Sequence, residues 1–133
     1  MEQNNDIRWK QRFENFEKAY RLLERTLEIS NPSEAERAGL IQFFEMAFEL
    51  SWKLMRDYLQ EQGFTINSPK QAIKQAFQSD LIRDGHTWID ALNDRNLTVH
   101  TYEESNAVEI ERRIRYDYFS LLRQLEQHFR ALL

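Results

Sequence analysis

Residues 43–59 read FFEMAFELSWKLMRDYL, and their spacing decides the fold. At about 100° per residue on a helix, Ile41, Phe44, Phe48, Trp52, Met55 and Leu59 fall on one apolar stripe. Phe43, Ala47, Leu50, Leu54 and Tyr58 fall on a second stripe beside it. Together the two cover more than half the circumference and leave Gln42, Glu45, Glu49, Lys53, Arg56 and Gln60 to share the rest. One neighbour cannot satisfy a helix that apolar. This one must be central in a bundle, or pack on its own bundle on one side and on a second subunit on the other. Ser33 stands three residues before Glu36, a capping-box pattern in which each satisfies a free amide of the other, and Gly63 suits the position just past a helix end. The spacing therefore predicts a helix over 34–62.

Upstream, Trp9, Phe13, Phe16, Tyr20, Leu23 and Leu27 recur at steps of three and four, which predicts an amphipathic helix over 7–29, stopped by Asn31-Pro32. Downstream, Ser68-Pro69 gives an N-cap with proline in the first turn. It opens a short helix to about residue 78, with Ala72, Ile73, Ala76 and Phe77 as its core face. Asp84-Gly85 then precedes a stretch carrying Trp88, Ile89 and Leu92. That stretch weakens at Leu97-Thr98-Val99, where β-branched side chains lower helix propensity. Ser105 is the expected cap of the last helix, whose stripe is Ala107, Ile110, Ile114, Tyr118, Leu121 and Leu125. The expected class is all-α: an antiparallel four-helix up-and-down bundle with an additional short helix, forming a single domain over residues 1–133.

Composition narrows the function. There is no cysteine, so neither a disulfide framework nor a thiolate metal site can form. The three histidines, His86, His100 and His128, lack ligand spacing, so neither a metal nor a cofactor is expected. The first ten residues are polar, unlike a signal peptide, and no apolar run reaches the length of a membrane span. The expected location is the cytoplasm. A net charge of −4 is unlike a free-standing, non-specific nucleic-acid binder, so any RNA contact must come from a local basic patch assembled with a partner. The apolar excess of the central helix predicts a homodimer, with Phe43, Ala47, Leu50 and Leu54, or the stripe opposite, at the interface.

Residues 93–104 read NDRNLTVHTYEE and concentrate polar chemistry at a helix end. Histidine is the side chain whose unperturbed pKa lies near neutrality, so His100 is the candidate to give or take a proton. Arg95 offers a rigid cationic fork for phosphate, and the Asn96 amide can orient either. Metal-free RNA cleavage needs these parts: a base for the 2′-hydroxyl and a cation for the charged phosphorus centre. Spacing alone leaves simpler roles open, since Arg95 could pair with Asp94 or Glu103 and His100 could cap a helix. Glu45, Glu49 and Lys53 lie on one stripe as either a solvated face with a Glu49–Lys53 pair or the polar wall of a nucleotide cleft. Arg112, Arg113 and Arg115 read as solvated surface or phosphate contacts. Trp9, Trp52 and Trp88 fall on apolar stripes and read as core.

Arg95, Asn96, His100 and Tyr102 also resemble the Arg-x4-His-x-Tyr motif of HEPN proteins, the higher eukaryote and prokaryote nucleotide-binding family. Independently, Phe44, Glu45, Phe48, Glu49, Leu50, Trp52 and Lys53 resemble the core of the nucleotidyltransferase substrate-binding proteins, and the likeness covers nearly the whole chain. The resemblance implies a helical homodimer operating beside a minimal nucleotidyltransferase. In the toxin–antitoxin branch it implies a metal-independent endoribonuclease that this partner neutralises. Arg95 would then stabilise phosphate, Asn96 orient, His100 act as acid or base, and Tyr102 accept an adenylyl group. The other reading is a non-catalytic subunit that binds the nucleotide or substrate for a two-chain nucleotidyltransferase. The catalytic carboxylates and Gly-Ser loop of a nucleotidyltransferase are not recognisable, so the chain would not transfer nucleotides by itself.

Overall fold

The computed structural model describes residues 2–97 and 104–133, with side chains over residues 7–96 and 106–133. Its helices are α1 (Glu2–Thr26), α2 (Glu34–Glu61), α3 (Pro69–Gln78), α4 (Gly85–Leu97), α5 (Glu104–Arg113) and α6 (Phe119–Leu132). A π-helical turn, Ile114–Tyr118, joins α5 to α6 in one continuous helix. The result is the expected all-α antiparallel bundle with α3 as its short extra helix, and α2 touches every other helix.

The punctuation acts as its chemistry requires. Ser33 Oγ accepts from the Glu36 amide at 3.1 Å and Glu36 Oε1 accepts from the Ser33 amide at 2.8 Å. Gly63 takes φ +99° at the end of α2, a left-handed conformation that costs glycine nothing. Ser68 Oγ accepts from the Gln71 amide at 3.1 Å. The first stripe of α2 is buried throughout, and rings tie it to the other helices. Phe44 lies 5.8 Å from Tyr118, Phe48 lies 5.8 Å from Trp88, and Trp9, Tyr58 and Phe129 pack edge to face or tilted between α1, α2 and α6. All three tryptophans are buried. Among the described residues no helix is long and apolar enough to cross a membrane.

Four expectations need correction. The first helix ends at Thr26 rather than near residue 29, because the Arg115 guanidinium takes the Leu27 and Ile29 carbonyls, each at 2.7 Å, and turns the chain there. Phe77 is not core: its ring is half exposed, since it lies at the edge of the face, about 40° beyond Ile73 and about 140° from Ala72. Ala47 and Leu54 are fully buried within their own chain and are spent before any second copy arrives, while Phe43 and Leu50 are only partly covered. The last helix is interrupted by the π turn, which the unbroken apolar stripe conceals.

Candidate functional site

The C-terminal turn of α4 carries the first half of the polar motif. Asp84 starts the helix: its carboxylate accepts from the Thr87 amide at 3.1 Å and the Thr87 hydroxyl at 2.7 Å, and these bonds hold its pKa below the usual value. Trp88, Ala91 and Leu92 then anchor α4 to the core. This places Arg95 over α2, with its guanidinium 3.6 Å from Glu49 Oε2. Glu49 is itself fixed by the Trp52 indole N–H at 3.1 Å and by Lys53 Nζ at 3.4 Å. The fold thus brings Arg95 beside Glu49 and Lys53, which lie more than forty residues earlier in the sequence. Glu45, one turn earlier on the same stripe, is partly exposed, and Asn96 is exposed. His100 and Tyr102 lie outside the described residues.

Asp94, beside Arg95, faces the other way. It is 7% exposed, and Arg113 Nη1 reaches both of its carboxylate oxygens, at 2.9 and 3.0 Å. The Tyr118 hydroxyl donates to the same carboxylate. Burial, and then the bond to Asp94, push the Tyr118 pKa far above its ordinary value, so the hydroxyl stays a donor. Sequence reasoning missed Asp94, Arg113 and Tyr118 as a unit. The two partners are five apart, a spacing that ordinary helical periodicity puts on different faces.

The arginines after Glu109 do not form a phosphate-binding patch. Arg113 is committed to Asp94, and Arg115 to the end of α1 and to Glu111 at 2.7 Å. Arg112 is bidentate to Glu109, whose pKa those arginine hydrogen bonds, Arg112 first, draw down to about 2. Burial alone would raise the pKa of Glu111, but hydrogen bonds from Arg37 and Arg115 outweigh it and hold the value low. A groove of about 770 Å³ runs between α4 and the π turn, with Asp84, Asp90, Asp94, Glu109 and Asp117 in its walls against Arg112 and Arg113. Its acidic balance makes it a poor phosphate site. Among the described residues no group of three or more His, Cys, Asp or Glu is arranged to hold a metal.

Residues 11–131 match the family model described as nucleotidyltransferase substrate binding protein like. The probable ribonuclease HepT of Haemophilus influenzae is 33% identical over 78 residues, which are 55% of this chain and 53% of that protein. The chain thus spans about half the length of that curated relative. Among solved structures, a protein from Thermus thermophilus superposes with a TM-score of 0.81 at 39% identity, covering 86% of this chain and 98% of that one. A Haemophilus influenzae protein, solved as the fold of a substrate binding domain of a nucleotidyltransferase, superposes with a TM-score of 0.80 at 28% identity over 89% of this chain and 98% of that one.

Proposed function

We propose that this chain, which belongs to the nucleotidyltransferase substrate binding protein like family, is a HEPN-type subunit that works with a minimal nucleotidyltransferase and is itself a metal-independent endoribonuclease held in check by that partner. The observation that carries the reading is the setting of Arg95, a cation held over Glu49 at the last turn of α4, from which the spacing to His100 and Tyr102 runs. The likeness to a protein named as a probable ribonuclease supports it.

In this reading His100 takes the proton of a ribose 2′-hydroxyl as that oxygen attacks the adjacent phosphorus. The bond to the 5′-oxygen breaks, and the products are a 2′,3′-cyclic phosphate and a 5′-hydroxyl that receives a proton. Arg95 stabilises the extra negative charge at phosphorus, Asn96 orients, and Tyr102 is the residue the partner modifies. The site is completed by a second copy of the chain, with the half-covered Phe43 and Leu50 and the exposed Met46 in the contact. A second reading, a substrate-binding subunit without catalysis, is supported by the net charge of −4 and by the description given to the Haemophilus influenzae fold.

Purified protein without the partner, incubated with labelled RNA in EDTA, tests the proposal. Wild type is expected to cleave, His100→Ala to be inactive, and Arg95→Ala to lose about 10² to 10³ in rate, as for loss of a preorganised group that stabilises a developing anion. Tyr102→Phe should cleave like wild type. Equal cleavage by wild type and His100→Ala would point to a contaminating nuclease and leave the ribonuclease reading without support, whereas no cleavage by any variant beside tight nucleotide binding transfers the proposal to the second reading.

A further inference from the structure

We infer that Asp94, Arg113 and Tyr118 form a clamp that sets the rotation of α4 and thereby positions Arg95, and that the π turn at Ile114–Tyr118 is what closes it. The catalytic consequence rests on the ribonuclease reading; the clamp itself rests on geometry.

Arg113 and Tyr118 are five residues apart. In a regular α-helix five residues sweep about 140° beyond a full turn, so the two side chains would diverge. In the π turn the Phe119 amide donates to the Ile114 carbonyl five residues back, and residues at that spacing come to lie nearly above one another. Both side chains therefore reach one carboxylate, that of Asp94. A π turn gives up good helical hydrogen-bond geometry, which is why such turns are rare and concentrate at functional sites. Here the distortion brings one arginine nitrogen, shared between both carboxylate oxygens, and a phenol onto a buried anion.

Asp94 and Arg95 are consecutive, so their side chains leave α4 about 100° apart. One faces the π turn and the other faces α2. The Arg95–Glu49 contact is long, at 3.6 Å, between side chains that are each about one-third exposed. Such a pair is too weak to fix a helix end by itself. The clamp on the neighbouring residue supplies the stiffness. Below it, Tyr118 is wedged by its stack on Phe44 of α2, so the rotation of α4 is referred to the central helix from two directions. Asp94, Arg113 and Tyr118 are positioning residues in this account and touch no substrate.

Tyr118→Phe removes one oxygen and keeps the ring that stacks on Phe44. In the full-length protein it should lower kcat for RNA cleavage by about 10²-fold, as small misplacements of a catalytic group do, with KM unchanged. Amide hydrogen exchange should quicken across residues 85–97 and stay unchanged in α1 and α2. Arg113→Lys, which keeps the charge but loses the guanidinium that spans Asp94 and Glu109, should fall between Tyr118→Phe and wild type. Exchange that quickens in every helix, or in none, overturns the clamp. Selective exchange with kcat unchanged overturns its catalytic role. If wild type itself does not cleave, the ribonuclease reading fails alone, and exchange across residues 85–97 still decides the clamp.

Discussion

Asp57 and Asp94 are both buried aspartates met by arginine, and they serve different ends. Asp57 sits in the C-terminal part of the long, regular α2. Arg12 of α1 reaches one of its oxygens at 2.9 Å and Arg56 the other at 3.1 Å, with the Arg56 guanidinium lying over the Trp52 ring. Ordinary helical geometry supplies both partners, and the cluster staples α1 to α2 about two turns along α2 from Glu49. Asp94 sits at the end of α4, and its partners arrive from a helix that departs from α geometry to deliver them. A buried charge matched by regular elements belongs to the fold; one matched by a distorted element points to a place where position matters more than local helix stability.

The comparison breaks first at Asp57. Asp57→Ala leaves Arg12 and Arg56 without their anion at a site whose carboxylate side chain is 1% exposed. Breaking one partner of a buried pair typically costs 3–5 kcal/mol, and because both arginines keep about a quarter of their exposure and can rehydrate, the expected loss is about 3 kcal/mol. Urea unfolding followed by circular dichroism measures it. The activity of the folded fraction should match wild type. A cost below about 1 kcal/mol, or a specific loss of activity, would dissolve the distinction between the two aspartates.

Asp94→Asn sharpens it from the other side. The amide keeps the shape and can still accept from Tyr118, so the expected stability loss is smaller, about 1–2 kcal/mol for a weakened charged hydrogen bond. The loss in cleavage rate should nevertheless exceed that of Asp57→Ala by at least an order of magnitude. Unfolding curves and initial rates on the same preparations check both halves.

The sequence made the fold legible because its signals are local and redundant. Stripes at helical spacing, the Ser33–Glu36 box, Gly63 and Ser68-Pro69 each constrain one element, and they agree. The site was legible only in part. Arg95 and Asn96 stand out as chemistry, but the pairing of Arg95 with Glu49 depends on where α4 crosses α2, which no local pattern encodes. The π turn was hidden because Ala107 to Leu125 keeps its three-and-four spacing straight through it. The three arginines after Glu109 looked like a charge run, although the targets of Arg113 and Arg115, Asp94 and the end of α1, lie 19 and more than 80 residues away.

A further test reads the neighbouring arginine cluster around Glu111 by pH. The Glu111 pKa is lowered from 4.5 in the folded chain, burial notwithstanding, by hydrogen bonds from Arg37 and Arg115. A carboxylate whose folded pKa is depressed contributes stability that is present above its unfolded value and lost as pH falls through the folded one. Glu111→Gln should therefore cost about 1 kcal/mol near neutrality, and the gap to wild type should close as pH drops below 4.5. Thermal unfolding from pH 7 downward reads this. A gap that stays constant with pH would show that the arginines bind Glu111 through shape alone.

The smallest expected effect belongs to Phe77, a large aromatic that the clamp, the staple and the core all leave outside. Its ring is 51% exposed and rests over Gly85, where an added Cβ would come within 3.2 Å of the ring carbons. With Ile73 and Ile89 it walls a shallow apolar hollow of about 370 Å³ between α3 and α4. Because α3 is already held by Ala72, Ile73 and Ala76, all buried, removing the ring opens no cavity. Phe77→Ser should change unfolding free energy by no more than about 0.5 kcal/mol, against about 3–5 kcal/mol for Phe48→Ala in the core. Parallel urea titrations make the comparison. A cost above about 2 kcal/mol at Phe77 would mean that its ring fixes the packing of α4 on α3, and the positioning of Arg95 would then draw on that packing as well as on the Asp94 clamp.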